Sequence, residues 1–154
     1  MRLFKTALTL TIVTMLIIAL SGCSSQAQKF YKQGKEAEDD NDMDAALELY
    51  NKSIEADPVY TPPYIKIANI YIERLQYADA ERILKKAIEI DPDCYEAYRR
   101  LSKVYRIEQR YADALKLCTS ALDSPGIKRD AKIKAKMEKE LSRIQEAIRE
   151  QQAQ

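Results

Sequence analysis

Few side chains in this sequence of 154 residues are suited to chemistry. The sequence contains no histidine, the commonest general base and metal ligand, so a zinc site built from cysteine and histidine is excluded. It also contains no S-x-x-K, P-loop or G-x-S-x-G motif. The acidic cluster from Glu38 to Asp44 lacks the glycine and the distal glutamate of an EF-hand calcium loop. We therefore expect no enzyme activity, no metal and no noncovalent cofactor.

The side chain with the clearest chemical role is Cys23, because of the segment that precedes it. Arg2 and Lys5 are followed by an apolar stretch from Ala7 to Leu20, and no acidic residue occurs before the cysteine. This is the layout of a secretory signal. The apolar stretch is shorter than the roughly 20 residues that a membrane-spanning helix needs, which favours cleavage over spanning.

The end of this segment, Leu20-Ser21-Gly22-Cys23, resembles the bacterial lipobox. The resemblance implies that residues 1–22 are a signal peptide and that Cys23 carries diacylglycerol and a further acyl chain such as palmitate. Two or three chains would hold the protein at the membrane, with residues 23–28 as a lipidated tether. Ser24 stands where an aspartate would favour inner-membrane retention, so the expected location is the periplasmic side of the outer membrane in a Gram-negative host. An ordinary secretory signal or an uncleaved anchor is the alternative.

Composition predicts the fold class of the chain after residue 22. Removing residues 1–22 takes away two basic residues, which leaves 23 basic against 24 acidic residues and no charge bias toward nucleic acid. Three glycines in the whole chain, with abundant Ala, Glu, Lys, Ile and Leu, indicate helices throughout. We expect Cys118 to be a small buried core residue, and a Cys94–Cys118 disulfide is the alternative.

A repeat of 34 residues organises the chain. Asp57-Pro58 recurs as Asp91-Pro92, and the segment Tyr77-Ala78-Asp79-Ala80 recurs as Tyr111-Ala112-Asp113-Ala114. Apolar and small residues follow helical spacing twice in each unit, as in the stripe of Tyr64, Ile67, Ala68 and Tyr71 and the stripe of Ala80, Leu84, Ala87 and Ile88. The period therefore predicts stacked pairs of antiparallel helices, and Asp93 is a candidate cap for the helix that comes after it.

These units resemble tetratricopeptide repeats (TPRs), whose pattern places small residues at positions eight and twenty. The expected fold is all-α, a TPR solenoid of three helix-turn-helix repeats at 27–126 (27–60, 61–94 and 95–126). Beyond it, Ile133, Met137, Leu141, Ile144 and Ile148 predict an amphipathic helix over 127–150 that caps the last repeat. A coiled-coil or partner-binding helix is the alternative for this segment, and the tail from Gln151 is expected to be disordered.

The resemblance also implies a binding groove lined by the first helix of each repeat. Positions two, five, nine and twelve share one helical face. The candidate groove residues are Tyr31, Lys35, Ile65, Asn69, Ile72, Arg99, Lys103 and Arg106. We expect the basic residues to attract carboxylates of a partner segment, and the tyrosine and isoleucines to take its apolar side chains. Glu96 and Lys66 replace the Lys and Asn of the TPRs that clamp a C-terminal carboxylate, so that function is not carried over.

Together these features predict a lipid-anchored TPR module or assembly scaffold that binds an envelope protein or peptide segment, and no nucleic acid. One alternative is a structural protein whose copies associate through the C-terminal helix. Another is a pilotin-like factor for pilus or secretin assembly. The sequence leaves the oligomeric state and the partner's identity open.

Overall fold

A computed structural model describes residues 25–153 of the chain. The predicted signal peptide 1–22 and Cys23, the predicted lipidation site, lie outside the described residues. The helices are α1 (25–39), α2 (Met43–Ala56), α3 (Pro62–Glu73), α4 (Tyr77–Ile90), α5 (Tyr95–Ile107), α6 (Tyr111–Asp123), α7 (Pro125–Arg129) and α8 (Ala131–Gln152). The predicted all-α class is thus confirmed, and no helix in this part of the chain is long and apolar enough to cross a membrane.

The same backbone turn joins the two helices of each repeat. Asn41, Leu75 and Gln109, spaced 34 residues apart, are the non-glycine residues with positive φ in the described part of the chain, at 62°, 59° and 59°. In each turn the next amide donates to the carbonyl five residues back, at 2.9, 2.8 and 2.7 Å in chain order. A residue with left-handed backbone conformation, followed by this hydrogen bond to the carbonyl five residues back, is a Schellman motif. The motif ends one helix and reverses the chain. The sequence period therefore reappears in the backbone geometry.

The chain divides into two compact units, Met1–Pro63 and Tyr64–Gln154. In the first unit α1 approaches α2 closely at Gly34, where an added Cβ would lie 2.6 Å from Cε1 of Tyr50. Tyr50 is fully buried, and its hydroxyl donates to Glu38 at 2.6 Å. Burial, together with this bond to Glu38, raises the pKa of Tyr50. The small residue at position eight is therefore what lets this pair of helices pack.

Residues 25–28, which were expected to belong to the tether, are part of α1. Ala27 has no exposed surface, and its carbonyl accepts a 2.7 Å hydrogen bond from the hydroxyl of buried Ser53 on α2. A buried carbonyl bound in this way fixes the start of α1 against α2, because an unmade buried hydrogen bond is costly. The predicted disordered tail is wrong in part, since α8 extends to Gln152.

In the second unit a charged cluster joins consecutive repeats. Glu81 on α4 accepts hydrogen bonds from Tyr105 on α5 at 3.0 Å and from Arg110 at 2.6 Å, and it pairs with Lys85 at 2.6 Å. The guanidinium of Arg110 lies 4.4 Å from the centroid of the Tyr105 ring, a cation–π distance. Burial alone would raise the pKa of Glu81, but the bonds from Arg110, Lys85 and Tyr105 outweigh it and lower the pKa to about 2.

The segment after the repeats forms two helices, so the prediction of a single helix over 127–150 is wrong. Asp130 ends α7 and caps α8, accepting from the amides of Lys132 at 2.9 Å and Ile133 at 3.0 Å. Met137 and Ile144 are then fully buried, with α8 packed on α5, α6 and α7. Burying each such side chain contributes about 1.5–3 kcal/mol. The apolar stripe is used within the chain, as the capping interpretation predicts.

Asp93 does not cap α5 as predicted. Cys94 holds the N-cap position, without a side-chain bond, while the carboxylate of Asp93 accepts from the hydroxyl of Ser124 and, at 2.7 Å, from the amide of Gly126. These bonds, the one from Ser124 first, lower the pKa of Asp93. A Cβ at Gly126 would meet this carboxylate at 2.3 Å. Asp93 therefore joins the end of the second repeat to the end of the third.

The two cysteines of the described part are free. Cys118 is fully buried, as predicted, and its Sγ lies 3.8 Å from Oγ of Ser102. Burial raises the pKa of Cys118 to about 11, which leaves it a poorly reactive thiol. The alternative, a disulfide between Cys118 and Cys94, does not form in the structure.

Candidate protein-binding cleft

A cleft of about 330 Å³ lies between α5 and α8, and the first residue of α6 also lines it. We call it the basic cleft. Its lining residues are Arg99, Lys103, Arg106, Ile107, Tyr111, Glu140, Arg143 and Ala147. Four are cationic and one is acidic, so the lining carries a net positive charge. The three basic residues that the sequence placed on one face of α5 all line this cleft.

Helical spacing on α5 explains how the cleft acquires its charge. The opposite face of α5 is buried, since Leu101, Val104 and Tyr105 have 5% exposure or less. Arg99, Lys103 and Arg106 succeed one another by four and three residues on the remaining face. A buried stripe and a basic stripe on one helix therefore present the cations together.

The three cations of α5 that line the cleft differ in how far they are already paired. Arg99 binds Glu96 through Nε at 3.0 Å and Nη2 at 2.8 Å, which raises the pKa of Arg99. Arg106 donates from Nη1 to Glu140 at 3.0 Å. Lys103 is exposed and forms no ion pair with any residue from 25 to 153. The amine of Lys103 is thus the cation most available to an incoming carboxylate.

Glu140 is one of five cleft residues that the sequence did not predict, with Ile107, Tyr111, Arg143 and Ala147. The side chain of Glu140 is only 5% exposed, and its carboxylate accepts from Ser102 at 3.3 Å, Arg106 at 3.0 Å and Arg143 at 3.1 Å. Arg106, which was predicted to attract a partner's carboxylate, is thus already paired with Glu140. A weak signal was present, because Glu140 stands between Met137 and Ile144 at the helical spacing of a buried stripe.

Apolar surface lies beside the charges. Ile107 lines the cleft and is 44% exposed. Tyr111 and Ala147 are half-buried at the same end of the cleft. An occupant could therefore place a carboxylate near Lys103 and an apolar side chain on Ile107 and Tyr111.

The other predicted groove residues lie elsewhere. Ile65, Asn69 and Ile72 are half-buried on α3 and do not line the basic cleft. Among the described residues, Oδ1 of Asn69 is a buried side-chain oxygen without a hydrogen-bond partner. Tyr31 and Lys35 are on α1 in the first unit.

Tyr31 and Lys35 differ in their surroundings. The ring of Tyr31 packs on those of Tyr50 and Tyr60, with both centroid distances at 5.7 Å. Lys35 is exposed. Tyr31 therefore contributes to aromatic packing within the first unit, whereas the side chain of Lys35 faces solvent.

Comparison with known proteins identifies the repeats. A tetratricopeptide-repeat family model matches residues 37–105. The fold of the chain is the all-α fold of TPR domains, and the family match falls on the segment in which the 34-residue period predicted TPR-like repeats. No curated protein sequence matches the chain.

Several solved structures share this fold. The TPR2B domain of yeast Sti1, in a complex with pHsp70, has a TM-score of 0.68 and 22% identity over 80% of this chain and 98% of its own. The first TPR domain of Spaghetti (RPAP3), bound to the HSP90 peptide SRMEEVD, has a TM-score of 0.65 and 22% identity over 81% of this chain and 97% of its own. The TPR domain of Arabidopsis OM64 has a TM-score of 0.61 and 21% identity over 79% and 98%.

Proposed function

We propose that this protein is a lipid-anchored TPR module of the bacterial envelope that binds an acidic segment of another envelope protein in the basic cleft. The observation that carries the proposal is the convergence of four cations from two helices on one cleft, with Lys103 unpaired among the described residues and exposed apolar surface beside it. A segment with carboxylates and an apolar side chain complements both features.

The structural neighbours support this choice of ligand. The Spaghetti TPR domain is bound to SRMEEVD, a short segment with three carboxylate side chains and two apolar side chains, Met and Val. Arg100, which matches one position of the C-terminal carboxylate clamp, is half-buried on α5 with Nε 3.7 Å from Glu96. The Nε of Arg100 is buried, whereas Lys103 is exposed, so we place recognition at Lys103 instead.

Anchoring at Cys23 would locate the module at the membrane surface. The described helix α1 is present from residue 25 onward, two residues after the cysteine. A lipid on Cys23 would therefore hold the first repeat directly at the membrane, so the partner is expected to be membrane-embedded or membrane-proximal. Membrane fractionation of Cys23→Ala tests the anchor, since release of the protein or failure of cleavage is expected. A mature variant that stays on the membrane would contradict it.

The binding proposal is tested with charge reversal at Lys103. Fluorescence anisotropy with labelled SRMEEVD should show binding to the wild-type protein and a roughly 5- to 30-fold weaker affinity for Lys103→Glu, since each charge at about 4 Å in water contributes about 1 kcal/mol. The analogue SRMQQVN, amidated at its C-terminus and therefore without any carboxylate, should not bind measurably.

Lys86→Glu is the matched control. Lys86 is an exposed lysine on α4 that does not line the cleft, so its reversal makes the same change in net charge. Its binding should equal that of the wild type within about twofold. Equal losses in the two variants would show that only overall charge attracts the peptide, and an unchanged affinity in Lys103→Glu would exclude the cleft.

A further inference from the structure

One feature of the basic cleft is not explained by packing alone: a buried carboxylate lies among cations that are not buried. Glu140 is 5% exposed, whereas its partners Arg106 and Arg143 are 35% and 54% exposed. The carboxylate comes from α8, which lies outside the three repeats, and it binds the cationic face of α5. This is the arrangement expected of a bound ligand.

We propose that Glu140 is an internal ligand of the basic cleft, and that by occupying the site formed by Ser102, Arg106 and Arg143 it limits the affinity of the cleft for acidic segments. The inference rests on the proposed function and names the residue that sets its strength and specificity. The cleft then contains two anion sites, one occupied by Glu140 and one open at Lys103.

The exposure of the two arginines decides what happens when Glu140 is neutralised. A deeply buried cation that loses its only partner is strongly destabilising, because it cannot be rehydrated. Arg106 and Arg143 both reach solvent, so they would be rehydrated and remain charged. The cleft would then offer two additional unpaired guanidinium groups to an incoming carboxylate.

The filled site also defines which partner the wild-type cleft prefers. With Glu140 in place, a second carboxylate near Arg106 would be repelled by the charge already there. The wild-type cleft should therefore distinguish weakly between a segment with one carboxylate and one with several. Removal of the charge of Glu140 should favour the more acidic segment.

The test compares three variants of Glu140 with a control on the same helix. Glu140→Gln keeps the size of the side chain, Glu140→Met replaces it by an apolar group that fits a buried position, and Glu140→Asp keeps the charge but shortens the chain. Glu138→Gln removes the same charge from an exposed residue of α8 that pairs with Lys134 at 3.7 Å. Circular dichroism and thermal unfolding establish that each protein is folded.

Affinity for SRMEEVD is the readout. Glu140→Gln and Glu140→Met should each bind roughly 3- to 10-fold more tightly than the wild type, from one unit charge removed at close range in a largely aqueous setting. Glu140→Asp and Glu138→Gln should stay within about twofold of the wild type. The gain should shrink when the peptide carries a single carboxylate.

The outcomes separate this inference from the proposed function. If the wild type binds and neither folded neutral variant binds more tightly, Glu140 has only a structural role and the inference is wrong. If Glu138→Gln tightens binding equally, general charge explains the effect and the inference is again wrong. If no protein of the set binds the peptide, the proposed function itself fails. If Glu140→Gln fails to fold, the affinity of Glu140→Met still tests the inference.

Discussion

Replacement of Glu81 by glutamine should weaken the junction between the second and third repeats. Glu81 holds Tyr105, Arg110 and Lys85 at once, and its side chain is 16% exposed. Glutamine has nearly the same shape and can still accept the hydroxyl of Tyr105. It removes the charge that pairs with the two cations, so the electrostatic part of the interaction is tested with little change in packing.

The pKa of Glu81 gives the size of the effect. A pKa lowered from 4.5 to about 2 means that folding favours the charged carboxylate. At about 1.4 kcal/mol for each pKa unit, the ionised group contributes ~3 kcal/mol to the free energy of unfolding near pH 7. Because the folded pKa is the lower one, this contribution is complete above about pH 4.5. It falls as the pH is lowered from there and is lost at about pH 2.

Urea unfolding monitored by circular dichroism, from pH 7 to the acid range, measures this contribution. We expect Glu81→Gln to lower the free energy of unfolding of the second unit by about 2–3 kcal/mol at pH 7, and the difference from the wild type to close as pH falls below 4.5. Glu89→Gln, an exposed substitution on the same helix, should change it by less than about 0.5 kcal/mol. A difference independent of pH would refute the electrostatic reasoning, because a packing defect persists in acid.

Two further predictions concern glycine. Gly34→Ala should destabilise the first unit by about 1–3 kcal/mol, because the new Cβ would lie within 2.7 Å of two carbons of the buried Tyr50 ring; an unchanged thermal midpoint would show that the ring can move aside. Leu75→Gly should stabilise the protein by about 0.5–1 kcal/mol, because this 70% exposed leucine has a φ of 59° that glycine adopts without strain; loss of stability in urea unfolding would contradict the turn geometry.

The repeats could be predicted from sequence because the same constraint acts three times. Tyr64, Ile67 and Ala68 were assigned to the core by their period, and all three are 2% exposed or less. Ala80 and Leu84, on the second helix of that repeat, have no exposed surface at all. Each prediction rested on a helical stripe that recurs 34 residues away, so the copies support the same assignment of core residues.

The segment outside the repeats has no such redundancy. A glutamate in a charged helix is normally solvated, and nothing in the sequence distinguishes Glu140 from Glu138 except its helical spacing, three residues after Met137 and four before Ile144. The break at Asp130 was missed because an isolated aspartate can also stand inside a helix. Only the hydrogen bonds that its carboxylate accepts from the amides of Lys132 and Ile133 show that Asp130 begins α8.

Asp93 illustrates a competition that sequence alone does not resolve. It precedes α5 and is a good capping residue by type, which is why a cap was predicted. In the structure the amide of Asp93 is held by the carboxylate of Asp91 at 3.0 Å, and its own carboxylate turns to Ser124 and Gly126. A partner 31 residues away in sequence displaces the local one, and tertiary contacts of this kind have no local signature.

The claim that the basic cleft holds another envelope protein is tested most directly by photo-crosslinking in cells. A photoreactive amino acid would replace Lys103 in one strain and Lys86 in another, with all other residues unchanged. We expect a distinct crosslinked product at position 103, joined through an acidic segment of a membrane-proximal protein, and no such product at position 86. Absence of a product at position 103, or the same product at both positions, would contradict the claim.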